Sequence, residues 1–139
     1  MTVLGVRMKK IEATRDESIT PEGPVKIAPS QKITNIKENK IDSASGKATV
    51  VEFDFEFAIN YDPPMGEIRL KGKVIYHGPE KVRKEIIKTW KDSKRISKTV
   101  EREILANLTS RAFLVAMNSA REIGVPSPMP FKFGENAAT

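Results

Sequence analysis

The sequence predicts an α+β fold: a strongly curved four-stranded antiparallel sheet, followed by a long apolar helix that needs a partner surface. Three observations carry this. Apolar residues stand at Val51, Phe53, Phe55, Phe57, Ile59 and Tyr61, with Glu52, Asp54, Glu56 and Asn60 between them; this period of two marks a strand buried on one face. Ile68, Leu70, Val74 and Tyr76 repeat the alternation after the breaking segment Asp62-Pro-Pro-Met-Gly66. From Lys98 to Ile123 no glycine or proline interrupts a helical pattern, and Gly124 then Pro126 supply the expected stop.

Taken in order, Val3 to Thr14 alternates loosely, with register slips near Lys9, and predicts a first strand. Ser18 to Ser30, holding Pro21, Pro24 and Pro29, is expected to be a connection, because proline lacks a donor and stops regular structure. Lys32 to Ile41 is weakly patterned and is assigned a short second strand, ended by the turn cluster Asp42-Ser-Ala-Ser-Gly46. The third and fourth strands form a hairpin whose register follows from parity. Opposed residues share a face, so the odd-numbered apolar set must meet the even-numbered one. A register summing to 129 sets Phe57 against Gly72 and Glu56 against Lys73; the neighbouring one, summing to 127, sets Glu56 against Lys71. After His77-Gly78-Pro79, the four-residue recurrence of Val82, Ile86 and Trp90 predicts an amphipathic helix from Glu80 to about Asp92. Ser93 to Ser97 is a polar break. In the long helix, Val100, Ile104, Leu108, Ala112, Val115 and Ser119 trace the expected buried stripe.

The 139 residues suit one domain, 1–139, with 134–139 expected as a flexible tail. Cysteine is absent, which excludes disulfides and thiolate chemistry. The first ten residues are too short and charged for a signal-peptide core or membrane span, so a cytoplasmic location is expected. The net charge is +6. Much of the excess lies between Glu80 and Arg102, where nine Lys or Arg face four Asp or Glu. Lys81, Arg83, Lys84, Lys88, Lys91, Lys94 and Arg95 are the candidate basic surface. Such an excess favours acidic or polyanionic partners but leaves a solvated helix face as the simplest use.

Nothing in the sequence reads as catalytic, and no cofactor or metal is expected. His77 is the one histidine, where a zinc site needs several at helical spacing. Glu52, Asp54 and Glu56 share a strand face, but neighbours about 7 Å apart do not share one cation unaided. Pairing with Arg69, Lys71 and Lys73 is the expected arrangement. Ala112-Phe-Leu-Val-Ala-Met117 is apolar all round, and such a helix is buried all round. One small sheet covers one side only, so a homo-oligomer is expected, with Ile104, Leu108, Ala112 and Val115 at its interface. In the tail, Gly124-Val-Pro-Ser-Pro-Met-Pro-Phe-Lys-Phe133, alternate prolines hold the chain extended. Met129, Phe131 and Phe133 either staple the sheet or help line a groove for extended apolar segments.

Four strands, a long final hairpin, a linker, one long helix and a proline-flanked tail ending in Phe131-Lys-Phe133 together resemble the SecB family of protein-export chaperones. The likeness spans Met8 to Phe133 and is most local from Ala112 onward, in Pro126, Pro130 and Phe133. The resemblance implies a Greek-key sheet packed on helices, assembled as a dimer of dimers. It also implies ATP-independent binding of non-native polypeptides in long apolar grooves. The departures are a basic rather than acidic chain, a more helical linker and no counterpart of the family's second helix. The expected function is therefore a non-enzymatic, SecB-like holdase for unfolded polypeptides. The alternative is a basic adaptor for nucleic acid or an acidic protein partner.

Overall fold

The computed structural model of the chain describes residues 2–128. Its elements run β1 (Thr2–Arg15), β2 (Lys26–Ser43), β3 (Gly46–Asp62), β4 (Gly66–His77), α1 (Glu80–Ser93) and α2 (Lys98–Ile123). The strands form one antiparallel sheet in the order β1-β4-β3-β2. Three hairpin-connected strands, β2 to β4, thus carry β1 beside β4 after a long connection, which is Greek-key wiring.

The β3–β4 hairpin adopts the neighbouring of the two predicted registers. Val51 faces Tyr76, Phe53 faces Val74, Phe57 faces Leu70, and Glu56 faces Lys71. Phe55, rather than Phe57, therefore lies opposite Gly72. A Cβ at Gly72 would stand 3.0 Å from the Phe55 ring and 2.3 Å from the Arg7 carbonyl, closer than any side chain tolerates. The glycine is the gap that the aromatic ring fills.

Two expectations are corrected. The second strand is eighteen residues long, not a short run from Lys32, and it enters the sheet at Lys26. Pro29 lies within it, opposite Ile59; β2 is an edge strand, where a missing N–H costs no ladder bond. In α2 the buried stripe is Val100, Ile104, Leu108, Ala112, Ala116 and Ala120, not the line through Val115 and Ser119. Steps of four drift around a helix of 3.6 residues per turn, so the contact line rotates as the helix crosses a twisted sheet. β1 carries two register shifts, between Val3 and Gly5 and between Met8 and Lys10, the second where the slip was expected.

Helix ends follow from local chemistry. The Ser97 hydroxyl accepts from the Val100 amide at 3.4 Å and caps α2. Gly124, at φ 75°, closes it, with the Val125 amide returned to the Ala120 carbonyl at 3.0 Å. Both helices cover the odd-numbered face of β3, where Val51 to Tyr61 are at most 4% exposed. α2 lies over β1 and β4, and α1 reaches β2. The Arg15 guanidinium donates to the Ile123 and Gly124 carbonyls, both at 3.3 Å, tying the C-terminal ends of β1 and α2 together.

Candidate functional site

Read in steps of four, α2 has four distinct sides. One is the buried stripe, and the opposite one, Arg102, Ala106, Ser110, Leu114 and Asn118, is exposed. Between them lies a half-buried flank of Leu105, Thr109, Phe113 and Met117. This flank faces β2: the Thr109 hydroxyl donates to the Gln31 side-chain carbonyl at 3.0 Å. Phe113 packs edge-to-face on Phe57, with ring centroids 5.2 Å apart.

The facing strand supplies the other wall. Ile27, Gln31 and Ile33 lie opposite Tyr61, Phe57 and Phe55 and so share the core face. Ile27 and Ile33 are only half-buried, because α2 rests over the other half of the sheet. The result is a half-buried apolar margin, or seam, beside an edge strand, with Ile27 and Ile33 on β2 and Leu105, Phe113 and Met117 on the α2 flank, the two elements joined by the Gln31–Thr109 hydrogen bond. Along β2 from Ile27 to Ile33 it is about 20 Å long at the usual strand rise. An edge strand presents unpaired N–H and C=O groups, a row interrupted here at Pro29, which has no N–H to offer. Main-chain donors and an apolar shelf therefore stand side by side, which is the pairing that an extended peptide needs.

The chain reaches the seam's end in a fixed way. The Tyr61 hydroxyl donates to the Pro126 carbonyl at 2.7 Å, and Val125 is buried against Gly66. Burial raises the Tyr61 pKa, which keeps that donor protonated. Pro128, also buried, is the last described residue. The candidate groove residues Met129, Phe131 and Phe133 lie outside the described residues.

Of the residues expected at an oligomer interface, Ile104, Leu108 and Ala112 have no exposed surface in the single chain and belong to its core. Val115 is half-buried and packs at the core's margin. Among the described residues, the large apolar side chains that do face outward are Leu4 at 52%, Ile11 at 54% and Leu114 at 50% exposure. Two of these stand on β1, the sheet's other edge. The all-round apolar run around Leu114 signalled an uncovered side but not which side.

The candidate basic surface is partly committed internally. Arg83 donates to the Gly78 carbonyl at 2.6 Å and pairs with Glu38 at 3.3 Å. Lys84 pairs with Glu80 at 2.8 Å, which raises the lysine pKa and lowers the glutamate's. Lys94 sits 5.2 Å from the Trp90 ring centroid. Lys81, Lys88, Lys91 and Arg95 remain exposed.

On the sheet's outer face, Glu52 is 1% exposed and accepts from Lys73 at 3.0 Å and Asn39 at 3.1 Å. Burial alone would raise its pKa, but those two hydrogen bonds and the charges of Lys73 and Lys37 outweigh it, and the net direction is downward. Its second oxygen, Oε1, is buried without a partner. Asp54 pairs with Lys37 at 4.0 Å and Glu56 with Lys32 at 3.9 Å, so Lys73 is the one expected β4 partner whose ion pair forms. Among the described residues no three His, Cys, Asp or Glu side chains gather as a metal site. His77 is exposed at the end of β4.

No protein-family profile and no curated protein matches the sequence. Among solved structures, the chain is similar to a Mycobacterium tuberculosis SecB-like chaperone in complex with a ChAD peptide from the HigA1 antitoxin. The two are 12% identical with a TM-score of 0.48, over 91% of this chain and 85% of that one. At that identity, function has to be argued from this chain's own residues.

Proposed function

We propose that the protein is a non-enzymatic, ATP-independent holdase that captures extended apolar segments of non-native polypeptides along the α2–β2 seam. The observation that carries this reading is the half-buried apolar margin beside the β2 edge, made of Ile27 and Ile33 on the strand and Leu105, Phe113 and Met117 on the α2 flank. A client segment adds to the edge as a strand through main-chain hydrogen bonds, which are indifferent to sequence. Its alternate side chains meet the apolar shelf. Methionine and aromatic side chains adapt to varied partners; Met117 and Phe113 fill that role. No step needs a cofactor.

Self-association belongs to the same reading. Leu4 and Ile11 on the β1 edge, with Leu114 on α2, form the surface proposed for a second copy, leaving the seam open at the opposite edge. No helix of the described residues is long and apolar enough to cross a membrane, and a cytoplasmic site of action is proposed with the rest.

The test is light scattering from a chemically denatured client diluted into buffer, at about 50 and 200 mM salt, with and without the protein. Near-stoichiometric suppression that persists at the higher salt, and is lost in Ile33→Asp with unchanged circular dichroism, is the expected result. Suppression that vanishes with salt would contradict it. That outcome would instead favour the adaptor reading through Lys81, Lys88, Lys91 and Arg95, because phosphate-backbone affinity falls by orders of magnitude over this range.

A further inference from the structure

We propose that the charged outer face of the sheet, opposite the helices, is a second binding site whose ligand is an acidic polypeptide segment. It lies on the other side of the sheet from the seam, so it goes beyond the holdase reading and stands or falls separately.

A cavity of about 440 Å³ opens on this face around Arg7, Lys9, Lys37, Lys71 and Lys73. Lys37 is paired with Asp54, and Lys73 with Glu52. Arg7, Lys9 and Lys71 have neither an ion pair nor a side-chain hydrogen bond among the described residues. Their placement is costly. Across the β1–β4 ladder, Arg7 lies directly opposite Lys73, and Lys10 directly opposite Lys71. Like charges so placed destabilise a sheet; Glu52 offsets Lys73 and Glu12 offsets Lys10 at 4.0 Å, which leaves Arg7 and Lys71 as the unpaired member of each pair. A bound carboxylate row would relieve both.

The geometry favours a peptide over a nucleic acid. Lys71 and Lys73 point to the same side of β4, about 7 Å apart. An extended peptide with an acidic residue at every second position repeats at that same interval. Asp54 and Glu56 line the cavity beside the cations and would repel an unbroken phosphate backbone. A protein segment of mixed composition can place neutral donors there. No large aromatic side chain is exposed among the described residues, so the face lacks the stacking platforms of single-strand binders.

The test uses the full chain and two fluorescein-labelled probes, read by anisotropy at low and moderate salt. One is an eleven-residue peptide alternating glutamate with serine, and the other an oligothymidylate of equal charge. The proposal expects saturable, salt-weakened peptide binding that raises the melting temperature of the protein. The double variant Arg7→Glu with Lys71→Glu should weaken it by about tenfold or more. Lys81→Glu with Lys88→Glu on α1 should change it by less than about threefold. If the charge reversal disturbs folding, Arg7→Gln with Lys71→Gln should still weaken binding while retaining the parent circular dichroism. Absence of saturable peptide binding, indifference to both sheet variants, or tighter binding of the oligothymidylate through the same residues would each overturn it.

Discussion

Helix α2 treats the two halves of the sheet differently. Over β1 and β4 it presents Ala112, Ala116 and Ala120, each at most 1% exposed; methyl side chains let the helix lie close, and that half is sealed. On the flank toward β2 it presents Leu105, Phe113 and Met117, which are half-buried, as Ile27 and Ile33 are on the strand. Small residues close a helix–sheet contact, while larger ones on the flank prop it open along one margin. Apolar surface left in this way beside a strand edge is unfavourable in a chain that functions alone. In a polypeptide-binding module it is the working surface.

The largest effect expected is in the sealed half. Leu108 has no exposed surface, so Leu108→Asp buries an unpaired carboxylate and should cost several kcal/mol, unfolding the chain at ordinary temperature. Circular dichroism and denaturant titration would read it. A folded variant with unchanged midpoint would show that the two halves are not different in kind.

The outer-face carboxylate ranks next. Glu52→Gln keeps the shape but removes the charge that neutralises Lys73; with Lys73 partly exposed, a loss of about 2 kcal/mol is expected. The sign with pH follows from the lowered pKa of Glu52. The parent holds this contribution in full above the ordinary glutamate range and loses it as pH falls through the lower folded value. Denaturant midpoints compared through that acid window should converge. A gap that widens on acidification would contradict the assignment.

Ala116→Leu sharpens the comparison most finely. Overpacking of the close contact should cost about 1–2 kcal/mol by denaturant titration, while Leu114→Ala on the exposed side should change stability by less than about 0.5 kcal/mol. Equal effects at the two positions would mean that the helix is not seated closely on the sheet at Ala116.

Much of this architecture was legible in the residues. Period two in β3, parity across the hairpin and the proline-free run of α2 each left few choices, but Gly72 could not decide the register, because Phe55 and Phe57 stand two residues apart and either can cover it. Other features were not. β2 hid its first half because an edge strand needs only one apolar face and tolerates Pro29. The stripe of α2 drifted because it follows sheet twist, which no residue encodes locally. Ile104, Leu108 and Ala112 read equally well as intermolecular contacts until the helix had a sheet to lie on. The seam was invisible for the same reason: its walls come from residues about eighty positions apart, as Gln31 and Thr109 are.

Hydrogen exchange measured on the protein with and without a saturating non-native client tests the central claim most directly. The account predicts new protection concentrated in β2 from Lys26 to Ile33, where the added strand pairs, with a smaller change across Leu105 to Met117. Protection confined to β1, or spread over α1 with β2 unchanged, would contradict the seam as the site of capture.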